Sequence, residues 1–155
     1  MKIESKILAV GFADLERYHK YVIKYGGKAA IDLLNETYNL AGDIIVKNGG
    51  KIIKYMGDSI MFILEDPSKS EITAKKITEC FKKDFNDHTV QFNVSIATGE
   101  VFLTKIGHKS FKMNDIFGET VNRAALLNRE ISGSQSKYLL CEETKKYINK
   151  SEKYI

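Results

Sequence analysis

Proline, cysteine and long apolar runs are all scarce in this 155-residue chain. No apolar stretch approaches the length of a membrane span, and Met1-Lys2-Ile3-Glu4-Ser5-Lys6 lacks the apolar core of a signal peptide. The two cysteines, Cys80 and Cys141, have no metal-ligand spacing and read as small buried hydrophobes, which fits a reducing, cytoplasmic setting. The single proline, Pro67, serves as a helix opener rather than as linker material. Internal repeats and low-complexity linkers are absent, so the expectation is one domain over residues 1–155 with its own core.

Apolar residues make up 43% and charged residues 28%, an ordinary globular balance. Net charge is +4, from scattered lysines. The Lys75-Lys76 and Lys82-Lys83 pairs are expected on the solvated face of a helix, which argues against nucleic-acid binding. A mild positive field favours a small anionic substrate.

The pattern predicts a strand over 5–13 ending at Asp14, then a helix from Leu15 to Tyr25 stopped by Gly26-Gly27. A second helix over 28–47 would bury Ile31, Leu34, Tyr38, Ala41 and Ile45. Residues 49–64 form two β-branched runs around Gly57-Asp58, a strong hairpin signal. A helix from Pro67 to Asp84 follows, with Ala74, Ile77, Phe81 and Phe85 on one face. Val90, Phe92, Val94 and Ile96 alternate with Gln91, Asn93 and Ser95, predicting a half-exposed strand that bends or turns near Gly99 into 101–103.

Residues 107–114 read as a loop, 117–130 as the approach to a helix and the helix itself, and 132–136 as a second loop. A short strand over 137–141 and a helix over 142–148 lead to a charged, frayed end. The expected class is α+β, with helices on one face of an antiparallel sheet.

Asp14 and Asp58 end neighbouring strands, where two carboxylates could hold one or two hard divalent cations. An aspartate in a Gly-Asp turn is also ordinary turn chemistry, and the hairpin alone leaves both readings open.

Four segments carry a resemblance: Phe12-Ala13-Asp14-Leu15; Lys54-x-x-Gly57-Asp58; Ile96-Ala97-Thr98-Gly99-Glu100-Val101; and Asp115-Ile116-Phe117-Gly118-Glu119-Thr120-Val121-Asn122-x-Ala124-Ala125. In this order they resemble the catalytic domain of class III adenylate/guanylate cyclases, over roughly residues 6–145. The resemblance implies a ferredoxin-like or palm-like antiparallel sheet with helices packed on it. It also implies cyclisation of ATP to cyclic AMP with release of pyrophosphate, assisted by two Mg²⁺ or Mn²⁺ ions.

By match, Asp14, Asp58 and the Leu15 carbonyl are metal ligands. Lys54 and Asp115 match the adenine-reading pair, lysine donating to N1 and aspartate accepting from N6, which favours ATP over GTP. Lys54 as a solvent-facing strand residue is the plain alternative. Asn122 matches a ribose-orienting asparagine, and a helix cap is its plain alternative. Sites of the family form between two head-to-tail subunits, and this chain carries both halves, implying a homodimer.

The sequence also departs from that pattern. Leu126 stands where an arginine usually offsets transition-state charge, four residues after Asn122. Arg129 returns to the same helix face about 10 Å further along the axis and could reach back. Glu16-Arg17-Tyr18-His19 replaces a glycine-containing phosphate loop, where Arg17 alters the backbone or adds charge; His19 reads as an exposed helix residue. The hairpin that commonly carries a phosphate-binding lysine has no counterpart before Ile155. The expectation is therefore a slow adenylate cyclase, with a degenerate domain that binds nucleotide or a partner as the alternative, or a dimerisation module that keeps only the fold.

Overall fold

The computed structural model describes residues 2–131 and 136–152. The predicted loop at 132–136, apart from Ser136, and the end of the chain beyond 152 lie outside the described residues. Strand β1 (Glu4–Leu15) is followed by helix α1 (Tyr18–Lys47), the hairpin β2 (Gly50–Met56) and β3 (Ser59–Leu64), and a short 3-10 turn, Pro67–Lys69. Then come α2 (Ser70–Glu79), β4 (Lys82–Phe85), β5 (His88–His108), β6 (Phe111–Phe117), α3 (Glu119–Ile131), β7 (Tyr138–Leu140) and α4 (Glu142–Glu152).

The sheet runs β2-β3-β1-β5-β4, with β6 and β7 also paired to β5. All pairings are antiparallel except that of β7, which lies parallel to β5 from Val94↔Tyr138 to Ile96↔Leu140. The α+β class therefore holds. Among the described residues no helix is long and apolar enough to cross a membrane.

Two cores sit on opposite faces of the sheet. On one, Ala9, Ala13 and Leu15 of β1 join Phe62 of β3, Phe92 of β5, and Leu33, Ala41, Ile45, Ala74 and Ile77 from α1 and α2. On the other, Leu8, Val10 and Phe12 join Met61, Ile63, Ala97 and Ala124 of α3. Helices thus cover both faces, where the sequence pattern led us to expect one. The difference shows in β5: Asn93 and Ser95, expected to be exposed, are buried beneath α3, and Ser95 Oγ donates to the Ala124 carbonyl at 2.7 Å. Each fully buried large side chain, such as Phe62 or Phe92, contributes about 1.5–3 kcal/mol through burial. Gly11 admits the Phe62 ring against the backbone, where any Cβ would collide with it.

Several predicted boundaries move, each for a physical reason. β1 runs through Leu15 because Leu15 pairs with Phe92 and its side chain is buried, so tertiary pairing overrides local helix propensity. Helix α1 therefore begins at Tyr18, and the two predicted helices are one run kinked at Gly26 (φ 85°, ψ 172°). Its buried stripe is Ala30, Leu33, Thr37, Ala41 and Ile45, whereas Ile31, assigned to the core from sequence, is 60% exposed.

The helix predicted to reach Asp84 stops at Glu79. Residues 82–85, Lys82 and Lys83 included, form β4, which hairpins into β5 through Asn86 and Asp87, both at positive φ. Gly99 makes no turn; β5 continues to His108, and the predicted loop at 107–114 is the tip and start of the β5–β6 hairpin. Cys141 is buried, as expected, and Cys80 half-buried.

Arg17 adopts the left-handed conformation, φ 63° and ψ 19°, before α1. Its guanidinium lies 3.6 Å from Glu16, a partly exposed pair of small value. Arg17→Gly should therefore raise stability by about 0.5–1 kcal/mol, read as a higher urea midpoint. A lower midpoint would show that the guanidinium contributes more than its backbone strain costs.

Candidate active site

The β2–β3 turn places Asp58 beside Asp14. Gly57 supplies the positive φ of the turn, 63°, and Asp14 lies directly across from Ser59, the residue after Asp58. The Leu15 amide donates to the Asp58 carbonyl at 3.2 Å, fastening the end of β1 to the turn. From α1, the Tyr38 hydroxyl donates to the Gly57 carbonyl, and its ring stacks on Tyr55 of β2 with centroids 4.1 Å apart. The acidic tip is held from three elements.

The two carboxyl groups interact directly. Burial, then the charge of Asp58 and a hydrogen bond to it, push the Asp14 carboxyl up to about 7. Burial likewise raises Asp58, and the hydrogen bond favours protonated Asp14 donating to ionised Asp58. Among the described residues no lysine or arginine forms an ion pair with either group. A partly buried carboxylate pair without a cation is chemically suited to a hard divalent ion.

No cluster of three or more His, Cys, Asp or Glu occurs among the described residues. The remaining ligands would therefore be carbonyl, amide, water or substrate oxygens. Leu15 turns its side chain into the core, leaving only its backbone carbonyl for such a role.

Lys54 and Asp115 form a 2.7 Å ion pair, with side chains 24% and 11% exposed. A β-bulge creates it. The β2–β3 register shifts between Ile52 and Lys54, so Ile53 is the extra residue and Lys54 lies opposite Met61, on the α3-bearing face. Simple alternation, which allowed a solvent-facing Lys54, fails at the bulge. Asp115 arrives from β6, which with the far half of β5 curls across this face; Ile53, Ile63, Leu103 and Ile116 pack together there. The Ile116 amide donates to Asp115 Oδ1 at 2.8 Å, fixing the carboxylate's orientation. A groove of about 460 Å³ opens beside the pair, lined in part by Ile53, Leu103, Asp115 and Ile116.

On α3, Asn122, Leu126 and Arg129 share one outward stripe, all exposed, with Leu126 at 56%. Asn122 is not a cap: α3 starts at Glu119, and the Asn122 amide already bonds back to the Gly118 carbonyl at 3.3 Å. Glu16 receives Lys137 at 2.9 Å, tying the start of α1 to the approach to β7. His19 is exposed. Two residues beside the acidic pair escaped sequence reasoning: Tyr38, placed among core positions, and Asn93, read as a solvent-facing strand residue. The cross-strand pairing Asp14↔Asn93 locates the second.

With this geometry, the likeness to known proteins is informative. Residues 3–155 match the adenylate and guanylate cyclase catalytic domain family, and the chain belongs to that family. An adenylate cyclase of Streptomyces coelicolor is 28% identical over 120 residues, covering 77% of this chain and 29% of that protein. One from Glutamicibacter nicotianae is 29% identical over 119 residues, covering 77% and 27%. The chain thus spans less than a third of the length of these relatives.

Among solved structures, the adenylyl cyclase CyaB from P. aeruginosa superposes with a TM-score of 0.77 at 24% identity, over 97% of this chain and 84% of that one. The guanylyl cyclase Cya2 superposes with a TM-score of 0.78 at 17% identity, over 96% and 81%. At these identities the likeness establishes the fold, and the fold is the cyclase fold.

The raised carboxyls carry a stability prediction. A carboxyl whose folded pKa exceeds its unfolded value favours folding in its protonated form. Metal-free protein should therefore lose stability as pH rises from about 4, the unfolded value, through about 7. Asp58→Asn removes the repulsion and should raise the melting temperature by a few degrees at pH 8, with the gain shrinking at pH 5. An equal gain at both pH values would contradict the electrostatic origin.

Proposed function

We propose that residues 1–155 are a single catalytic domain that cyclises ATP to cyclic AMP. The ribose 3′-oxygen forms a bond to the α-phosphorus, the bond from that phosphorus to the β-phosphate bridging oxygen breaks, and pyrophosphate leaves. The 3′ proton passes to solvent. Bound as a pair, Mg²⁺ or Mn²⁺ would supply Lewis-acid activation of the attacking oxygen and neutralise triphosphate charge. Asp14, Asp58 and the Leu15 carbonyl would hold these ions. The observation that carries the reading is the Asp14–Asp58 pair itself, partly buried, with Asp14 raised by burial and by the charge of Asp58, and without a described basic partner.

Lys54 and Asp115 read the base. Their ion pair keeps donor and acceptor close together and oriented, so adenine meets a lysine at N1 and a carboxylate at N6. Guanine presents a donor at N1 and an acceptor at O6, leaving both protein groups mismatched, which is the kind of penalty that discriminates strongly. GTP is therefore the poorer substrate. Asn122 orients the ribose. A head-to-tail homodimer combines the carboxylates of one subunit with the base and ribose residues of the other, giving two equivalent sites.

Leu126 makes the enzyme slow. An exposed leucine on the stripe shared with Asn122 cannot donate to developing charge, and Arg129 lies about two turns beyond Asn122. The same feature favours a second reading, a domain that binds nucleotide or a partner without turnover and acts in regulation or dimerisation.

Purified protein incubated with ATP or GTP and Mn²⁺ should form cyclic AMP faster than cyclic GMP. Tight Mn²⁺–ATP binding without cyclic product would favour the second reading, and absence of nucleotide binding would exclude the first. Leu126→Arg should raise the rate by about 10²-fold, and no gain would place the defect elsewhere. Asp58→Ala should abolish Mn²⁺-dependent nucleotide binding in a titration, and unchanged affinity would refute its assignment.

A further inference from the structure

We infer that Asn93 is a third side-chain oxygen donor to the cation assigned above to Asp14 and Asp58, an inference that rests on that assignment. Asn93 of β5 lies directly across from Asp14 of β1. Residues opposed in an antiparallel pair point to the same face, with Cβ atoms about 4.5–5.5 Å apart. That face is the one covered by α3, where Phe12 and Ala97 are core residues.

The neighbouring polar groups are already engaged. Ser95 Oγ donates to the Ala124 carbonyl at 2.7 Å, and Asn128 Nδ2 donates to the Phe12 carbonyl at 3.4 Å. Asn93 differs: the residue is only 7% exposed, and its Oδ1 is buried with no hydrogen-bond partner. Folded proteins rarely leave such an oxygen unmet, and an ion or water is one way in which it is met.

The chemistry favours the ion. An amide oxygen is a hard neutral donor of the kind that Mg²⁺ and Mn²⁺ accept beside carboxylates. It extends the ligand set without adding a third negative charge to a pair that already repels. Among the described residues no further His, Cys, Asp or Glu completes that set. Asn93, from β5, and Asp58, from the turn into β3, flank Asp14 from the two strands that neighbour β1.

The test is a Mn²⁺ titration of the full chain without nucleotide, following the resonance of free Mn²⁺, together with melting curves with and without the ion. Asn93→Leu should weaken Mn²⁺ binding on the order of tenfold while raising the melting temperature of the metal-free protein. Asn93→Asp, which keeps the oxygen and adds charge, should bind at least as tightly as the wild type. An unchanged Mn²⁺ affinity in Asn93→Leu would overturn the inference. Should that variant not fold, weaker binding by Asn93→Asp overturns it equally. If the wild type and Asp58→Ala bind Mn²⁺ alike, the carboxylate assignment itself fails, an outcome separable from failure at Asn93 alone.

Discussion

The register of β1 is the constraint on which the rest of the structure depends. This strand is paired along its length to β5 and along its second half to β3. Its odd positions feed the core beneath α1 and α2, and its even positions feed the core beneath α3. A slip of one residue would send every side chain to the other face and bury Asp14 among Phe62 and Phe92. Gly11 gives the Phe62 ring the room that this alignment of β1 with β3 needs. Hydrophobic packing along the strand thus positions a carboxylate at its end.

That carboxylate is costly in isolation. Burial raises both carboxyls, and the charge of Asp58 adds to the rise at Asp14, so ionising Asp14 in place is costly. Anchors from three elements keep the arrangement from relaxing: the Leu15 amide, the Tyr38 hydroxyl and the Tyr38–Tyr55 stack. The Lys54–Asp115 pair is arranged differently. There the charges satisfy each other, and a bulge in one strand with a backbone amide in another sets their orientation. One pair is without a basic partner among the described residues, and the other is charge-balanced and fixed in orientation. Asp14 and Lys54 lie on the α3-bearing face of the sheet.

Much of this was legible in the sequence because short motifs carry local geometry. Gly57-Asp58 between β-branched runs specified its hairpin, and the order of elements specified the α+β class. What escaped was set by tertiary structure. The pattern around Asn93 reads as half-exposed because alternation reports one buried face, and nothing in β5 announces that α3 covers the other. The β4–β5 hairpin was hidden by apolar residues at helical spacing, although Asn86 and Asp87 are residue types that tolerate the positive φ a tight turn requires. The bulge before Lys54 has no sequence signature at all, since Ile52 and Ile53 suit either face.

Family membership accounts for the fold and for the order of the motifs. The individual side chains decide whether the fold performs chemistry. Retention of the acidic pair and the Lys54–Asp115 pair argues for a working nucleotide site, and Leu126 argues for a slow one. The most direct measurement is a crystal of the protein grown with Mn²⁺ and a non-cyclisable ATP analogue, examined for anomalous scattering. The account predicts manganese peaks at the Asp14 and Asp58 carboxylates. Nucleotide bound with no manganese at those carboxylates would contradict it.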